Sequence, residues 1–517
     1  MSQVKILWTD DEIDLLKPHI IFLEEKGYKV VSASNGNEAL EQIEKTDFDI
    51  VFLDENMPGL SGLETLTRIK NSRPALPVVM ITKSEEESIM EDAIGSKISD
   101  YLIKPVNPNQ ILLSLKKILD NKRLVSEKTS SAYQQEFRNI GMSLSDKLSW
   151  EEWCEVYRKL IYWELELERS KDQGMAEILT TQKKEADTLF SRFIEKNYTA
   201  WVQGKAADTP IMSHTLLKNY LVPMLEGNTP VFLVVIDNLR YDQWKIIEPV
   251  VSEYFRIDKE EMFMSILPSA TQYARNALFA GLMPSEIQKK YPQYWINENE
   301  EGSKNQFEEA LLAEHLKRLG KNIKTSYHKV LNHSFAKKLA ENFSNLLQNK
   351  LNVIVYNFVD MLSHARTEMD VIKELADDDS AYRSLTLSWF EHSPLHDIIQ
   401  QIAEKKGKLI ITTDHGTIKV TEPVKIIGDR DVNTNLRYKT GKSLSYDKKE
   451  VFEVRNPEDI FLPRMNVSSS YVFARNDTFF AYPNNFNHFV NYYRNTFQHG
   501  GISMEEMIIP FVSLSAK

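Results

Sequence analysis

The stretch Leu409–Gly416 has the sequence LIITTDHG, a short apolar run that ends in an acid, an imidazole and a glycine. Two further apolar runs, Val231–Asp237 and Val353–Asp360, also end in an aspartate. Short, β-branched and continuously apolar runs are typical of buried parallel strands. Because ligands of open α/β sheets gather beyond the carboxyl ends of such strands, we expect the three acids to lie close together.

The same half of the chain supplies a full set of metal-ligand residue types. The six candidates are Asp237, Asp360, His364, Asp414, His415 and His499. His364 follows Asp360 by four residues, so the two share a face if a helix begins there. A pair of zinc ions about 4 Å apart needs roughly three protein ligands each and an open position. The set therefore suits a two-zinc phosphoryl-transfer site, although Mn²⁺ could occupy the same ligands.

Each of these residues, taken singly, has a common structural role. An aspartate at a strand end usually caps a helix or a turn. A single histidine is more often a hydrogen-bonded structural residue than a ligand. The recurrence of Asp and His in order, each at a predicted strand end, is what favours a metal site over these structural roles.

Residues 208–517 resemble the alkaline phosphatase superfamily and, within it, the PglZ domain. The resemblance is carried by VIDNLRYD at 235–242, LPSAT at 267–271, DMLSH at 360–364, TDHG at 413–416 and HGGIS at 499–503. It implies an α/β fold with cap insertions, for which 305–320 and 333–349 are candidate helices. It assigns one zinc ion to Asp360, His364 and His499, and the other to Asp237, Asp414 and His415.

In this resemblance Thr271 matches the nucleophile. Metal coordination lowers the pKa of a threonine hydroxyl, so that in-line attack would leave the phosphoryl group on Thr271. The phosphate-clamping arginine of the superfamily has two candidates, Arg240 and Arg275, and each could equally be an ion-pair partner. The only cysteine, Cys154, is far from the nucleophile position.

The N-terminal third has a different pattern of strands. Apolar runs ILWT, IVFLD, VVMIT and YLI, near positions 6, 50, 78 and 101, alternate with helical patterns. The helices are predicted at Asp14–Lys26, Gly36–Lys45, Ser61–Ser72 and Pro108–Leu119. Strands that alternate with helices in this way indicate a doubly wound parallel sheet.

Acids at these strand ends predict a second metal site. Asp10, Asp11 and Asp54 would hold Mg²⁺ through carboxylates and water, and Lys104 would offset part of their charge. Asp54 could then accept a phosphoryl group, with the hydroxyl of Thr82 donating to it.

Residues 1–120 accordingly resemble a response-regulator receiver domain, through the Asp-Asp pair, DENMPG at 54–59, the threonine and Lys-Pro. The resemblance implies that Asp54 is phosphorylated. It also implies that the backbone carbonyl of Asn56 binds Mg²⁺ and that Tyr101 is the switch aromatic.

Residues 121–207 lack strand signals, and their apolar spacing predicts a bundle of three or four helices. One of these helices is predicted to begin at Ser149. Their tryptophan-containing stripe is read as core rather than as a binding surface, because a bundle face needs such residues. Residues 425–449 carry seven basic side chains and are either a lid that gathers phosphates or a solvated loop.

The chain of 517 residues has 63 basic and 74 acidic residues, a net charge of −11, which does not favour duplex DNA binding. A single cysteine excludes an intramolecular disulfide. We see neither a signal peptide nor an 18-residue apolar span, so we expect a cytoplasmic protein without a membrane span.

The order of receiver, helical segment and PglZ-type domain resembles the response regulators associated with type IX secretion. That resemblance implies a partner histidine kinase, a sigma factor partner and a homodimer formed on phosphorylation. We expect a zinc-dependent phosphodiesterase acting on nucleotide or oligonucleotide, including cyclic, substrates. The alternatives are a signalling scaffold whose zinc site is not catalytic, and a phosphomonoesterase or phosphotransferase.

Overall fold

The computed structural model describes residues 4–74, 76–83, 98–145, 147–170, 172–369, 378–428, 433–464, 466 and 468–517, without the side chains of 119–128, 366 and 368. Contacts divide the chain into two compact units, residues 1–132 and 133–517. The sequence analysis expected the helical segment and the C-terminal domain as two domains, whereas by contacts they form one unit.

The first unit is built on a five-stranded parallel sheet. Its strands are β1 (Lys5–Thr9), β2 (Lys29–Ala33), β3 (Ile50–Asp54), β4 (Val78–Thr82) and β5 (Asp100–Ile103), in the order β2-β1-β3-β4-β5. Its helices are Ile13–Leu16 (3₁₀), Lys17–Glu25, Gly36–Lys45, Gly62–Ser72 and the first part of Pro108–Ser143. The doubly wound parallel sheet is thus confirmed. Sequence analysis did not identify β2, a half-exposed strand at the edge of the sheet.

Local sequence explains where these helices begin. Ser61 caps the helix Gly62–Ser72: its hydroxyl accepts from the Glu64 N–H, and the Glu64 carboxylate accepts from the Ser61 N–H. Such a capping box satisfies two otherwise unpaired backbone donors. It places the helix directly behind the carboxyl end of β3, where Asp54 lies.

The helical segment of the second unit contains two long helices besides the end of Pro108–Ser143. These are Trp150–Ser170, capped by Ser149, and Gln173–Val202, capped by Asp172. Their aromatic residues are buried, as the core interpretation of the stripe predicts: Trp153 packs edge-on against Phe190 at a centroid distance of 5.4 Å. These rings belong to the same apolar cluster as the strands of the C-terminal sheet.

The C-terminal part is organised around a six-stranded sheet. Its described residues form the following strands in chain order: β6 (Val231–Ile236), β7 (Phe255–Met264), β8 (Thr325–Val330), β9 (Leu351–Tyr356), β10 (Lys408–Thr412), β11 (Ile418–Lys419), β12 (Glu422–Lys425), β13 (Tyr438–Gly441), β14 (Val451–Val454), β15 (Ser470–Ala474), β16 (Thr478–Ala481), β17 (Phe497–Gln498) and β18 (Ile508–Ala516). The main sheet has the order β7-β18-β10-β6-β9-β8, in which β10, β6, β9 and β8 are parallel and β18 is antiparallel to both of its neighbours. The remaining strands form sheets β11-β17, β12-β16 and β13-β15-β14.

Helices cover the main sheet and join its strands. The α-helices are Ser213–Leu216, Tyr241–Val251, Thr271–Ala280, Pro284–Lys290, Glu308–Arg318, His333–Glu341, Phe358–Glu368, Asp379–Glu391, Pro394–Glu404, Phe486–Tyr493 and Met504–Met507. Shorter turns are a π-helical turn at Leu217–Leu221 and 3₁₀ turns at Val222–Leu225, Pro292–Tyr294, Phe343–Gln348 and Pro457–Ile460. Of the two candidate cap helices, Glu308–Arg318 packs on Thr271–Ala280, and His333–Glu341 packs on Pro394–Glu404.

Candidate functional site

Three neighbouring strands bring acids to one edge of the main sheet. The strands β10, β6 and β9 are adjacent and parallel, so their carboxyl ends meet at the same edge. Asp237 directly follows β6, Asp414 follows β10, and Asp360 lies in the first turn of the helix after β9. This is the position at which ligands bind in open α/β sheets.

One group of possible metal ligands comprises Asp237, Asp414 and His415, all buried. The His415 Nε2 lies 3.8 Å from Asp237 Oδ1 and 3.7 Å from Asp414 Oδ2. The other ring nitrogen, Nδ1, is 3.0 Å from the Gly416 carbonyl, which can only accept a hydrogen bond. Nδ1 therefore carries the proton, and the lone pair of Nε2 faces the two carboxylates.

A second group comprises Asp360, His364 and His499, whose ligand atoms also lie within 4.8 Å of one another. The Nε2 atoms of both histidines are 3.6 Å from Asp360 Oδ1. The rings of His415 and His499 stack with their centroids 4.3 Å apart. The two groups are therefore neighbours, as a two-metal arrangement requires.

Thr271 is the first residue of the helix Thr271–Ala280 and points its hydroxyl at the first group. Its Oγ1 lies 3.0 Å from His415 Nε2 and 3.4 Å from Asp237 Oδ1. The side chain of Asn305 donates to the Thr271 carbonyl at 2.9 Å. A helix N-terminus presents unpaired N–H groups and partial positive charge, which favour an anion such as phosphate beside Thr271.

The protonation of the site reflects the crowding of its carboxylates. Burial and the neighbouring Asp237 raise the pKa of Asp360 to about 6, and the same two causes raise the pKa of Asp414. Burial opposes ionisation of Asp237 as well, but Arg275 and His415 outweigh it and hold the pKa of Asp237 below its usual value. Burial also lowers the pKa of His499 well below that of free histidine.

The donor set fits divalent metal ions. Asp414 Oδ2 is buried and has no hydrogen-bond partner among the described residues. Buried polar atoms in native proteins are nearly always paired, so such atoms indicate a missing ligand or ion. Carboxylate and imidazole donors in equal numbers suit zinc, with open positions left for a substrate.

Asn238 is a site residue to which the sequence analysis assigned no role. It adopts a left-handed backbone conformation with φ of 66°, which asparagine tolerates better than most residues. Its N–H reaches Asp414 Oδ1 at 3.4 Å, and its side-chain amide reaches Asp360 Oδ1 at 3.5 Å and Ser363 Oγ at 3.3 Å. Asn238 thus bridges the two groups. An Asp-Asn pair after a buried strand is the signal that could have revealed it.

Both arginines considered as phosphate clamps are engaged with carboxylates. Arg240 donates from Nε and Nη2 to Asp242, at 2.9 and 2.5 Å. Arg275 donates from Nε to Glu308 at 2.6 Å, and its Nη1 lies 2.5 Å from Asp237 Oδ2. The two side chains are at most 3 % exposed, so they neutralise buried acids in this structure.

The basic segment 425–449 is partly buried where the structure describes it. Arg437 lies next to β13 and forms a buried ion pair with Glu506, Nη2 to Oε2, at 2.6 Å. Lys439 in β13 is also buried and donates to the Asn433 carbonyl at 2.7 Å. These two side chains therefore do not behave as parts of a solvated loop. Arg430 lies outside the described residues.

In the first unit, Asp10, Asp11 and Asp54 form a third group of possible ligands. Lys104 spans it, with Nζ 2.8 Å from Asp10 Oδ2 and 2.9 Å from Asp54 Oδ1. Burial, with Asp10 adding to it, raises the pKa of Asp54 to about 6, even though Lys104 acts in the opposite direction. Crowded acids of this kind are a pocket for a hard cation such as Mg²⁺.

The remaining predicted residues of that site have separate surroundings. The Thr82 hydroxyl, at the end of β4, donates to the buried Glu55 carboxylate. Tyr101 in β5 is half-buried and packs against the apolar cluster on one face of the sheet. The side chain of Asn56 is exposed.

Comparison with known proteins relates each part of the chain to a family. Residues 216–514, more than half of the chain, match the BREX system PglZ alkaline phosphatase-like domain. Residues 123–202 match the PorX response regulator linker domain, and residues 6–116 match the response regulator receiver domain. Among the described residues, every helix is too short or too polar to cross a lipid bilayer.

Individual relatives match the receiver part. A stretch of 142 residues is 34% identical to the transcriptional regulatory protein ZraR of Klebsiella oxytoca and covers 28% of this chain and 32% of that protein. A stretch of 118 residues is 31% identical to ResD of Bacillus subtilis and covers 23% of this chain and 49% of that protein. The chain thus spans about half or less of the length of these curated relatives.

A solved CheY-like receiver domain from Methanospirillum hungatei JF-1 is 30% identical, over 23% of this chain and 96% of that one, with a TM-score of 0.23. The α/β fold and the receiver-plus-phosphatase-like organisation expected from the sequence are confirmed. The chain belongs to the PglZ alkaline phosphatase-like family and carries a response regulator receiver domain ahead of that domain.

Proposed function

We propose that this protein is a response regulator whose output is a two-zinc phosphodiesterase with Thr271 as its nucleophile. The observation that carries the proposal is the position of the Thr271 hydroxyl. It lies 3.0 Å from the ring nitrogen that His415 turns toward the site, beside the first of two neighbouring Asp/His groups. The match to an alkaline phosphatase-like domain supports a phosphohydrolase.

The six Asp and His residues would bind the two zinc ions. Asp237, Asp414 and His415 would hold one zinc ion, and Asp360, His364 and His499 the other. Zinc supplies Lewis acidity that lowers the pKa of a coordinated hydroxyl and stabilises developing negative charge.

The Thr271 oxygen would form a bond to phosphorus while the bond to the leaving alcohol breaks, and the alcohol takes up a proton. Water would then release the phosphoryl group and restore the hydroxyl. The helix N-terminus behind Thr271 offers N–H groups to the phosphoryl oxygens.

The choice of a diester follows from charge. A phosphomonoester carries up to two negative charges, whereas a diester carries one. Both candidate clamp arginines, Arg240 and Arg275, are already paired with buried carboxylates. A site with less free positive charge favours the monoanionic substrate. Nucleotide or oligonucleotide diesters, linear or cyclic, are the proposed substrates.

Hydrolysis of chromogenic substrates tests the proposal. Bis(p-nitrophenyl) phosphate and p-nitrophenyl phosphate are compared for zinc-loaded wild type, Thr271→Ala and the matched control Thr181→Ala. The Thr181 hydroxyl is exposed and bonds only the carbonyl of Glu177 in its own helix. We expect diester cleavage by wild type and control, and none by Thr271→Ala. Cleavage of neither compound by the zinc-loaded wild type would leave a non-catalytic scaffold.

Control would come from the receiver domain, which implies a histidine kinase as partner. We propose that Mg²⁺ bound by Asp10, Asp11, Asp54 and the Asn56 carbonyl supports phosphorylation of Asp54. Lys104 and Thr82 would then contact the phosphoryl group, and Tyr101 would respond. From the resemblance to response regulators associated with type IX secretion, we propose a role in that secretion, a sigma factor partner and dimerisation on phosphorylation. Light scattering with and without beryllofluoride should show a doubling of mass, and an unchanged mass would contradict dimerisation.

A further inference from the structure

A chain of buried ion pairs runs from the helical segment toward the metal-site loops. Its midpoint is Arg383, on the helix Asp379–Glu391. Arg383 Nη1 donates to Glu164 Oε1 and to Asp242 Oδ2, both at 2.8 Å, and Nη2 donates to Glu168 Oε2 at 2.5 Å. Glu164 and Glu168 are four residues apart in the helix Trp150–Ser170 and therefore lie on one face. We call Glu164, Glu168, Arg383, Asp242 and Arg240 the arginine network.

The network ends directly behind the first metal group. Asp242 receives two hydrogen bonds from Arg240, which follows Asp237 by three residues. The Arg240 guanidinium carbon lies 5.3 Å from the ring centroid of Phe497, within the range of a cation–π contact. Phe497 lies in β17, two residues before His499. Arg240 therefore lies close to segments of both groups: it follows Asp237 of the first group, and it contacts Phe497, which precedes His499 of the second.

Tyr382 extends the connection to the helix Phe358–Glu368, which carries Asp360. Its ring stacks on Phe497 with the centroids 4.2 Å apart, and Arg240 lies 5.7 Å from it. The Tyr382 hydroxyl donates to the carbonyl of Val359 at 3.1 Å, and Val359 immediately precedes Asp360. Tyr382 and Arg383 are consecutive, so a movement of one moves the other.

A second path joins the helical segment to the His415 loop. Lys183 of the helix Gln173–Val202 lies 2.6 Å from Glu164 Oε2 and 3.2 Å from Glu505 Oε1. The backbone carbonyl of Glu505 packs against Gly416, at a distance that leaves no room for a Cβ atom. Residue 416 directly follows His415. The helical segment therefore reaches the metal loops both through Arg383 and through Lys183.

The buried charge of Arg383 depends on its carboxylate partners for neutralisation. The Arg383 side chain is 5 % exposed, and two of its three carboxylate partners come from the helical segment. In a buried site, removing one member of an ion pair leaves an uncompensated charge that the surroundings must rearrange to satisfy. Arg383 would then interact more strongly with Asp242, and the ion pair between Asp242 and Arg240 would weaken.

We infer that Glu164 and Glu168 are positioning residues of the metal centre, which act through Arg383, so that the helical segment is an integral part of the hydrolase. The inference rests on the proposed function for its catalytic consequence. It also predicts an effect on metal retention that is independent of catalysis. Partners beyond the immediate ligands typically change metal affinity or activity by about 10- to 100-fold, and we expect about tenfold.

The test uses full-length, zinc-loaded protein with Glu164→Gln/Glu168→Gln. The matched control is Glu155→Gln/Glu166→Gln, on the same helix and with the same charge change. Among the described residues, Glu155 pairs with Arg158 and Glu166 with Arg169, each three residues away on the same helix. We expect kcat for the chromogenic diester to fall about tenfold at unchanged KM, and zinc release to a chelator to become about tenfold faster. The control variant should match wild type in both.

A double-mutant cycle separates positioning from general destabilisation. If Glu168 acts through Arg383, adding Glu168→Gln to Arg383→Gln should cause no further loss in kcat, whereas Glu164 also contacts Lys183 and is left unchanged in this cycle. Should the double variant fail to fold, Glu168→Gln alone serves, since that side chain is 36 % exposed, and a smaller loss in the same direction is expected.

The inference would be overturned if the carboxylate variants released zinc at the wild-type rate and kept the wild-type kcat. Fully additive losses of kcat in the double-mutant cycle would also overturn it. If the wild type cleaves no substrate, the proposed function fails, and the zinc-release rates alone decide the inference.

Discussion

Replacement of Gly416 by alanine is a sharp test of the metal-site geometry, because the cost is purely steric. Its φ is not in the left-handed region, so alanine can adopt the same backbone conformation. A Cβ atom at this position would lie 2.0 Å from the carbonyl oxygen of Glu505, and real Cβ contacts are essentially never closer than 3.0 Å. The two backbone segments must therefore separate by at least about 1 Å.

The Glu505 side of this contact is held firmly, so the His415 side should move. The neighbouring Met504 N–H donates to the buried carboxylate of Asp187 at 2.8 Å, and the Glu506 N–H donates to the Ser503 hydroxyl at 3.1 Å. A displacement of about 1 Å at a catalytic group can cost about 100-fold in rate. Overpacking should also lower the free energy of unfolding by about 1–3 kcal/mol.

The assay measures kcat for the chromogenic diester, zinc content and the thermal midpoint of Gly416→Ala. The matched control is Gly141→Ala, an exposed helical position where a new Cβ would meet only Gln182 Nε2, at 3.9 Å. We expect about a 100-fold lower kcat in Gly416→Ala and an unchanged kcat in the control. A Gly416→Ala protein with wild-type kcat and full zinc content would refute the assignment of His415 to the site.

Three further outcomes are expected. Asp360→Ala should lower zinc content and the thermal midpoint together, because bound metal stabilises the folded state; unchanged zinc content by mass spectrometry would remove Asp360 from the site. Thr271→Ser should retain part of the hydrolytic activity that Thr271→Ala loses, since serine keeps the attacking hydroxyl; equal activities of the two variants at equal zinc content would argue against a nucleophile at this position. The pKa of Asp54 is raised to about 6 by burial, so its carboxylate is ionised above that pH and protonated below it. Mg²⁺ affinity, measured by calorimetry, should therefore fall by up to about tenfold per pH unit as pH drops below 6, and Asp54→Asn should remove this part of the dependence.

The positions of the acids at the strand ends could be expected from the sequence for a physical reason. Charged residues are rare inside buried parallel strands, so Asp237 and Asp414 mark where β6 and β10 end. Because parallel strands end at one edge, order along the chain was enough to expect these acids to be neighbours.

Contacts between residues far apart in sequence could not be predicted in the same way. Arg240 and Arg275 each fitted two roles, and only the folded chain shows their carboxylate partners, Asp242 and Glu308. Ion pairs carry no periodicity, so neither pattern nor spacing distinguishes a clamp from a counter-ion. The edge strand β2 was missed because it is only half-buried and its apolar signal is weak.

The aromatic stripe of the helical segment illustrates a related limit. The sequence analysis interpreted the tryptophan-containing stripe as core, and Trp153 and the neighbouring Tyr157 are both buried. The spacing does not say what covers that face. In the structure Tyr157 lies 6.0 Å, centroid to centroid, from Tyr241, which follows Asp237 by four residues, and the Leu267 N–H donates to the Tyr198 hydroxyl at 2.8 Å. The phosphatase-like domain therefore covers the buried aromatic face of the helical segment.

This shared core has a consequence for how such proteins can evolve. A domain that is exchanged between genes must fold after it is cut from its neighbours. Separation near Gly204 would expose Phe193 and Trp201 on one side and the face beneath Tyr241 on the other. We therefore expect the helices and the phosphatase-like fold to be inherited together, and recombination that replaces the sensor to succeed only where the break falls ahead of Tyr133.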